Sequence, residues 1–328
     1  MSTTATDIGV PEAQSILSRL FVSNRVIGPL LGLIGLCVFL SLATDSFLST
    51  RNFLNILDQI SVIGIIAVGM TFVILIGGID LSVGSILALS MMVLGVLQVH
   101  MGYPMYVAIT AALLVGAATG CVSGILITML KIPAFIATLA MMSIARGLAS
   151  LLTNGQQIIG FPVWFNMAAI IRYGGFLTIT VGVMLSVFVV TWIYQRYRAG
   201  GRVLYAIGGN PEVARLAGIN VNRATIAVYT FCGFLSGLAG MVFAARLDAV
   251  QPSSGVAYEL DAIAAVVIGG TSLAGGTGGI GGTLVGVLII GVLRNGLNLL
   301  QVSPFMQQLV VGFVIVIAVG AEAFRRRT

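Results

Sequence analysis

Apolar residues fall along this chain in long unbroken blocks, not at alternate or helix-face positions. The first runs from Val26 to about Ala43, and others cover residues 59–77, 82–99, 104–129, 133–152, 174–194, 224–245, 260–269, 279–297 and 305–322. About 20 residues rising 1.5 Å each cross a hydrocarbon core of roughly 30 Å. The pattern therefore predicts an all-α polytopic membrane protein of about ten transmembrane helices, some of them short or broken. The eighth block, "DAIAAVVIGG", is too short to cross alone, and predicts a helix that is tilted, broken or packed within protein. Residues 1–25 are polar and lack an A-x-A cleavage pattern before a span-length block, so they read as a tail and not as a cleaved signal.

Composition strengthens this reading. The 328 residues are 58% hydrophobic and 8% charged, too few charges to cover a water-facing surface. Short cytoplasmic loops collect Lys and Arg. With ten spans and both termini inside, the inner side receives Arg19, Arg25, Lys131, Arg196, Arg198, Arg202, Arg215, Arg223, Arg325, Arg326 and Arg327, while Arg51, Arg172 and Arg246 fall outside. Topology then accounts for the net charge of +6, and nucleic-acid binding is not needed to explain it. The domain plan is a cytoplasmic tail over 1–25 and one transmembrane domain over 26–328, with its main cytoplasmic loop at about 196–223.

Catalytic signatures are missing. Lys131 is the single lysine and lies in "TMLKIPAF", so no Walker A loop exists to hold ATP phosphates. One histidine, His100, and three dispersed cysteines, Cys37, Cys121 and Cys232, offer no metal or disulfide framework. The 42 glycines suit close helix approach and broken helices, as in a transporter.

Several polar groups interrupt the apolar blocks. In "GMTFVILIGGIDLSVGSILALS" the run breaks at Gly77 and Gly78 and then presents Asp80, Ser82 and Ser85. Asp80 and Ser82 suit a cap on the next helix; equally, a carboxylate at membrane depth suits a pathway or gate. A similar break occurs at Gly269 and Gly270. At an offset of 192, Ile76, Gly77, Gly78, Leu81 and Gly84 meet Ile268, Gly269, Gly270, Leu273 and Gly276, which suggests either related halves or convergent use of glycine. Outside, Gln251, Ser253, Ser254, Tyr258 and Glu259 suit either a docking rim, together with Asn154–Gln157, or a solvated loop capped by Glu259 and Asp261. Arg294, Asn298 and Gln301 share a helix face, with Asn298 a pathway candidate, and Arg146 and Arg294 are expected in structural ion pairs.

The cytoplasmic stretch "AIGGNPEVARLAGIN" predicts a turn and one short helix. Gly208 and Gly209 form the turn, Asn210 caps, and Pro211 takes the first helical position. Glu212 lies near the positive helix end, Val213 and Leu216 offer an apolar face, Arg215 lies among them, and Gly218 ends the helix. A helix this short is marginal alone in water, which is a reason to expect docking.

Three stretches, "AVGMTFVILIGGIDLSVGSILAL", "AIGGNPEVARLAGINV" and the segment from "YELDAIAAVV" to "QLVVG", resemble the inner-membrane permease subunits of bacterial ABC importers for monosaccharides, a family serving ribose, xylose, arabinose and galactose, with the ribose members nearest. The likeness runs from about residue 26 to the end. It implies a homodimer with its pathway at the dimer axis, a separate ATPase subunit that binds ATP and Mg, and a periplasmic sugar-binding protein. It also implies that residues 208–218 form the coupling helix seated on the ATPase, that the chain is not itself an enzyme, and that it binds no cofactor. An ion-driven secondary transporter working through Asp80, or a small-solute channel, is the rival reading.

Overall fold

Among the described residues, seven helices are long and apolar enough to cross a bilayer by length and composition. The structure, a computed structural model, describes residues 26–325; the tail at 1–25, including Arg19 and Arg25, lies outside the described residues, as do Arg326 and Arg327. The seven are α2 (Thr50–Leu75), α3 (Val83–Gly95, prolonged by a π-helical turn Val96–His100), α4 (Met105–Met129), α5 (Ala134–Leu151), α7 (Ile179–Tyr197), α10 (Val221–Leu247) and α12 (Ile280–Leu299). Shorter helices complete the chain: α1 (Ile27–Ala43), α6 (Val163–Ile170), α8 (Ala199–Gly209), α9 (Pro211–Leu216), α11 (Tyr258–Ile268) and α13 (Pro304–Arg325). A two-residue ribbon pairs β1 (Ile158–Ile159) with β2 (Ala249–Val250). The molecule is all-α and polytopic.

The core is α2, α3 and α10, and glycine sets how closely helices approach it. Gly116, Gly120 and Gly124 of α4 recur every four residues and face Gly233, Tyr229 and Ile226 of α10, running antiparallel. A Cβ at Gly124 would lie 2.7 Å from the Ile226 Cα, so only glycine permits this contact, the small-residue packing that holds helices together in lipid. The outer helices turn apolar side chains outward, among them Leu31, Phe39, Phe305 and Phe313, as contact with lipid requires.

Contacts sort the connecting segments into two ends. At one, Arg172 pairs with Asp58 at 2.8 Å, and Ile158 pairs with Val250. At the other, the Gly276 N–H donates to the Leu75 carbonyl at 2.9 Å, and the Tyr205 hydroxyl to the Gly278 carbonyl at 2.7 Å. The long helices run between these ends, α10 and α12 both starting from the second and joined by the shorter α11.

Two segments fold back inside. After α2 ends at Leu75, residues 76–82 return into the bundle, where Gly78, Asp80 and Ser82 are buried. After α10 ends at the opposite end, residues 248–257 do the same, burying Pro252, Ser254 and Gly255. The two returns meet: a Cβ at Gly84 would overlap the Gly255 carbonyl and lie 2.7 Å from Glu259 Oε2. Thus α3 and α11 begin inside the protein with their N-termini facing, an arrangement tolerated at membrane depth because surrounding helices shield the irregular backbone.

The two glycine breaks lie at the same end, where residues 76–78 and 274–276 touch, and the segment opposed to 76–84 is 248–258. Three expectations are corrected here. The α2 helix starts at Thr50, nine residues before the apolar block, because Ser49 caps it and its polar side chains find partners: Asn52 with Asn295 at 3.0 Å and Asp58 with Thr178 at 2.9 Å. α7 starts at Ile179, with Thr178 accepting from the Val181 N–H. Residues 247–263 are not a solvated loop: the α11 N-cap is Ala257, with no side-chain cap, and Asp261 is spent on Arg294.

Candidate functional site

The exposed α9 is built as its sequence dictates. Asn210 is extended, and its Oδ1 accepts the Glu212 and Val213 N–H groups at 2.9 and 3.1 Å. Pro211 occupies the first turn, where no N–H is missed. Glu212 and Arg215 pair across one turn. Gly218, at φ +83°, closes the helix by donating to the Arg215 carbonyl at 2.9 Å. Val213 and Leu216 are 59% and 88% exposed, an apolar face without a partner among the described residues. The inward face is Ala214, which packs with Ile207 and Val221 in a small cluster that also takes in Ile76.

Gly208 and Gly209 do not form a turn. They end α8, an 11-residue helix that sequence reasoning merged into the loop. Gly208 has a tighter role: a Cβ there would overlap the Leu75 carbonyl and the Gly276 nitrogen. Gly275 in turn lies where a Cβ would come within 2.8 Å of the Gly77 nitrogen and 3.1 Å of the Gly208 Cα. Three backbones therefore cross at one point: the end of α2, the end of α8, and the glycine loop after α11. Tyr205 ties the same loop through Gly278, and burial pushes its phenol above the ordinary tyrosine range, Arg196 pulling the other way, so it stays a neutral donor.

Just beyond this crossing, Asp80 is fully buried, with Ser82 and Ser85 beside it. Its Oδ1 accepts the Ser82 N–H at 2.9 Å and the Ser82 hydroxyl at 2.5 Å. The pair does not cap α3 as the residue types suggest: Ser82 is the N-cap residue but makes no side-chain cap bond, its hydroxyl being given to Asp80. The Ile79 carbonyl accepts from Thr138 and Tyr229 at 3.3 and 3.4 Å, and Cys232 lies against Asp80, so α5 and α10 hold this return in place. Gly77, Gly78, Gly269 and Gly270 are all at this end. Asn298 is not: it sits sixteen residues along α12 from Gly282, about 24 Å away, and accepts from Gln307 at 2.8 Å, holding the turn into α13.

At the opposite end, a cavity of about 630 Å³ is lined by Gln156, Gln157, Gln251, Ser253 and Arg146, so two rim segments far apart in sequence share one polar cup. Tyr258 and Glu259 are not in its lining; they begin α11. Arg146 does not form the expected ion pair; it donates to the Pro252 carbonyl and, at 2.7 Å, to the Ser254 carbonyl, clamping the return. Arg294 does pair with buried Asp261, at 2.5 Å. Sequence reasoning missed Thr138 and Tyr229, lone polar groups in apolar blocks with no local signal of their partners, and Gln195, just past the end of another block.

Comparison with known proteins bears on this geometry. The profile of the family described as branched-chain amino acid transport system, permease component, matches residues 52–319. The chain is 46% identical over 311 residues to the ribose import permease protein of Haemophilus influenzae, covering 94% of this chain and 95% of that one. It is 49% identical over 295 residues to the ribose import permease protein of Bacillus subtilis, covering 89% and 91%. It is 36% identical over 319 residues to the fructose import permease protein of Rhizobium meliloti, covering 95% and 89%. No solved structure matches.

Proposed function

Because the chain belongs to the family of permease components matched over residues 52–319, we propose that it is the membrane subunit of an ATP-binding cassette importer carrying a ribose-like monosaccharide. The family description names branched-chain amino acids and the relatives name sugars. Identity of 46–49% along most of the chain is the more specific guide, and it favours the sugar.

The observation that carries the reading is α9, capped at both ends, with Leu216 and Val213 outward and Ala214 seated on the cluster that includes Ile76. A separate ATPase, holding ATP and Mg, docks on this helix. Its closure moves α9 and α8, and the backbone crossing at Gly208 passes that movement to the two glycine breaks. The cargo enters through the polar cup, delivered by a periplasmic binding protein docked near Gln251 and Ser253, and passes inward by alternating access. A second copy of the chain completes the pathway. Ten crossings follow when α1, α11 and α13 join the seven long helices, with both termini, the 1–25 tail and the 196–223 loop on the cytoplasmic side of a bacterial inner membrane, and residues 26–328 acting as one domain. The chain supplies no ATPase site.

Uptake of radiolabelled ribose into proteoliposomes containing this chain and its ATPase, with the periplasmic binding protein supplied, tests the proposal. Uptake that persists with all ion gradients collapsed, and stops without ATP, is the expected result. Uptake that survives without ATP and dies with the gradient overturns it in favour of an ion-driven transporter working through Asp80.

A further inference from the structure

At the end of the bundle that carries α8 and α9, a cavity of about 510 Å³ opens between the last turn of α7, α8 and the start of α12. Its polar lining is Gln195, Arg196, Arg202, Tyr205 and the backbone of Gly278–Gly282. The cap residue of the 20-residue α12 is Gly279, which has no side chain to accept the first-turn N–H groups. The Ile280 N–H donates to Gln195 Oε1 at 3.0 Å, and the Thr283 N–H to the Gly279 carbonyl at 3.1 Å. The Gly281 and Gly282 N–H groups have no acceptor among the described residues. A Cβ at Gly281 would meet nothing within 4 Å, so this helix end faces open space.

A second observation, on a buried side chain, points to a ligand. Gln195 is only 9% exposed, yet its Nε2 has no acceptor. Neither Arg196 nor Arg202 pairs with a carboxylate among the described residues. The cavity thus gathers two arginines, two free N–H groups and a spare amide, with no carboxylate among the described residues to meet them. A neutral sugar has no use for such a cluster, whereas an anion at a helix N-terminus beside arginines is strongly favoured.

We propose that this cavity binds a phosphate group, supplied by the headgroup of an anionic membrane phospholipid. Trp192 lines the mouth, 45% exposed, and its ring meets that of the 65%-exposed Tyr197 edge-on at 6.0 Å. Such rings concentrate at headgroup depth, and basic pockets between transmembrane helices take anionic headgroups. Val26, at the start of α1, also lines the cavity, so the mouth opens toward the lipid-facing side.

The test places the full-length protein in nanodiscs of phosphatidylcholine alone or mixed with phosphatidylglycerol, and titrates inorganic phosphate into the first. Thermal unfolding and the lipid retained in native mass spectra are read for wild type, R196Q/R202Q, the charge-keeping R196K/R202K, and R223Q, which removes a charge from the same loop outside the cavity. Phosphatidylglycerol is expected to stabilise wild type and be retained, with retention falling on the order of 30-fold in R196Q/R202Q, two charges each worth about 1 kcal/mol, or about fivefold. R196K/R202K restores most of it, and R223Q leaves it unchanged. Stabilisation by inorganic phosphate alone, lost in R196Q/R202Q, keeps the anion site and overturns the lipid source. If neither probe separates wild type from R196Q/R202Q, or if R223Q loses as much, the site itself is refuted. Should the double variant not fold, R202Q alone, at an exposed position, carries the same comparison.

Discussion

Neighbouring glycines at the end of α8 are predicted to respond to alanine in opposite directions. At Gly208 a Cβ would overlap the Leu75 carbonyl and the Gly276 nitrogen and stand 3.0 Å from the Gly276 Cα, all of it backbone that cannot rotate away. Overpacking of this kind costs about 1–3 kcal/mol. Separating the strands also strains the Gly276–Leu75 hydrogen bond, worth about 1 kcal/mol. Better helix propensity returns up to about 1 kcal/mol, so Gly208→Ala is destabilising by roughly 1–3 kcal/mol net. Gly209, one residue on, has nothing within 4 Å of its Cβ position and a helical backbone, so Gly209→Ala gains a few tenths, up to about 1 kcal/mol. Thermal unfolding of both variants in the same detergent, alongside ATP-driven uptake, reads the difference. Gly208→Ala should lower the midpoint and uncouple ATP hydrolysis from uptake, while Gly209→Ala should do neither. Equal midpoints for the two, or a more stable Gly208→Ala, would refute the backbone crossing as the link.

Leu216→Asp should leave the unfolding midpoint unchanged, since the side chain is 88% exposed, while weakening ATPase binding by about 10- to 100-fold, the worth of burying one leucine; binding is read by interferometry with the isolated ATPase. Asn210→Ala removes two N-terminal hydrogen bonds from α9 and should cost about 1 kcal/mol of helix order, seen as roughly fivefold weaker ATPase binding that Asn210→Ser largely restores. Arg294→Ala strands Asp261, 1% exposed at its side chain, and should destabilise by about 2–4 kcal/mol; adding Asp261→Asn should recover part of this, giving a coupling of about 1–3 kcal/mol in a double-mutant cycle by thermal unfolding.

Where local chemistry decides a feature, the chain discloses it. The Asn210–Pro211 start and Gly218 stop of α9 depend on neighbouring backbone only, and long apolar blocks name their spans because the bilayer acts on each segment separately. Features made by distant segments are hidden. Asn52 and Asp58 look like part of a polar loop until Asn295 and Arg172 arrive to satisfy them. Gly208 looks like a turn residue, because its reason for being glycine lies at Leu75 and Gly276. The two breaks at Gly77 and Gly269 are visible as breaks, but their meeting, and the facing of α3 against α11, depend on which end each return enters from. Of the residues chosen for the outer rim, Gln156, Gln157, Gln251 and Ser253 came together, since both segments leave spans at the same end; Asn298, chosen for its helix face alone, did not join the Asp80 region.

The facing of Gly84 and Gly255 also sets an order of assembly. These residues are about 170 positions apart, and the ribosome adds roughly 5–20 residues per second. Residues 76–82 therefore emerge some 10 to 30 seconds before the chain that covers the start of α3 exists. During that interval the exposed amides of the return need another shelter, either the insertion machinery or water at the bilayer edge. Biogenesis of this protein is thus a late closure: α2 and α3 wait, half inserted, for α10 and α11 to complete them.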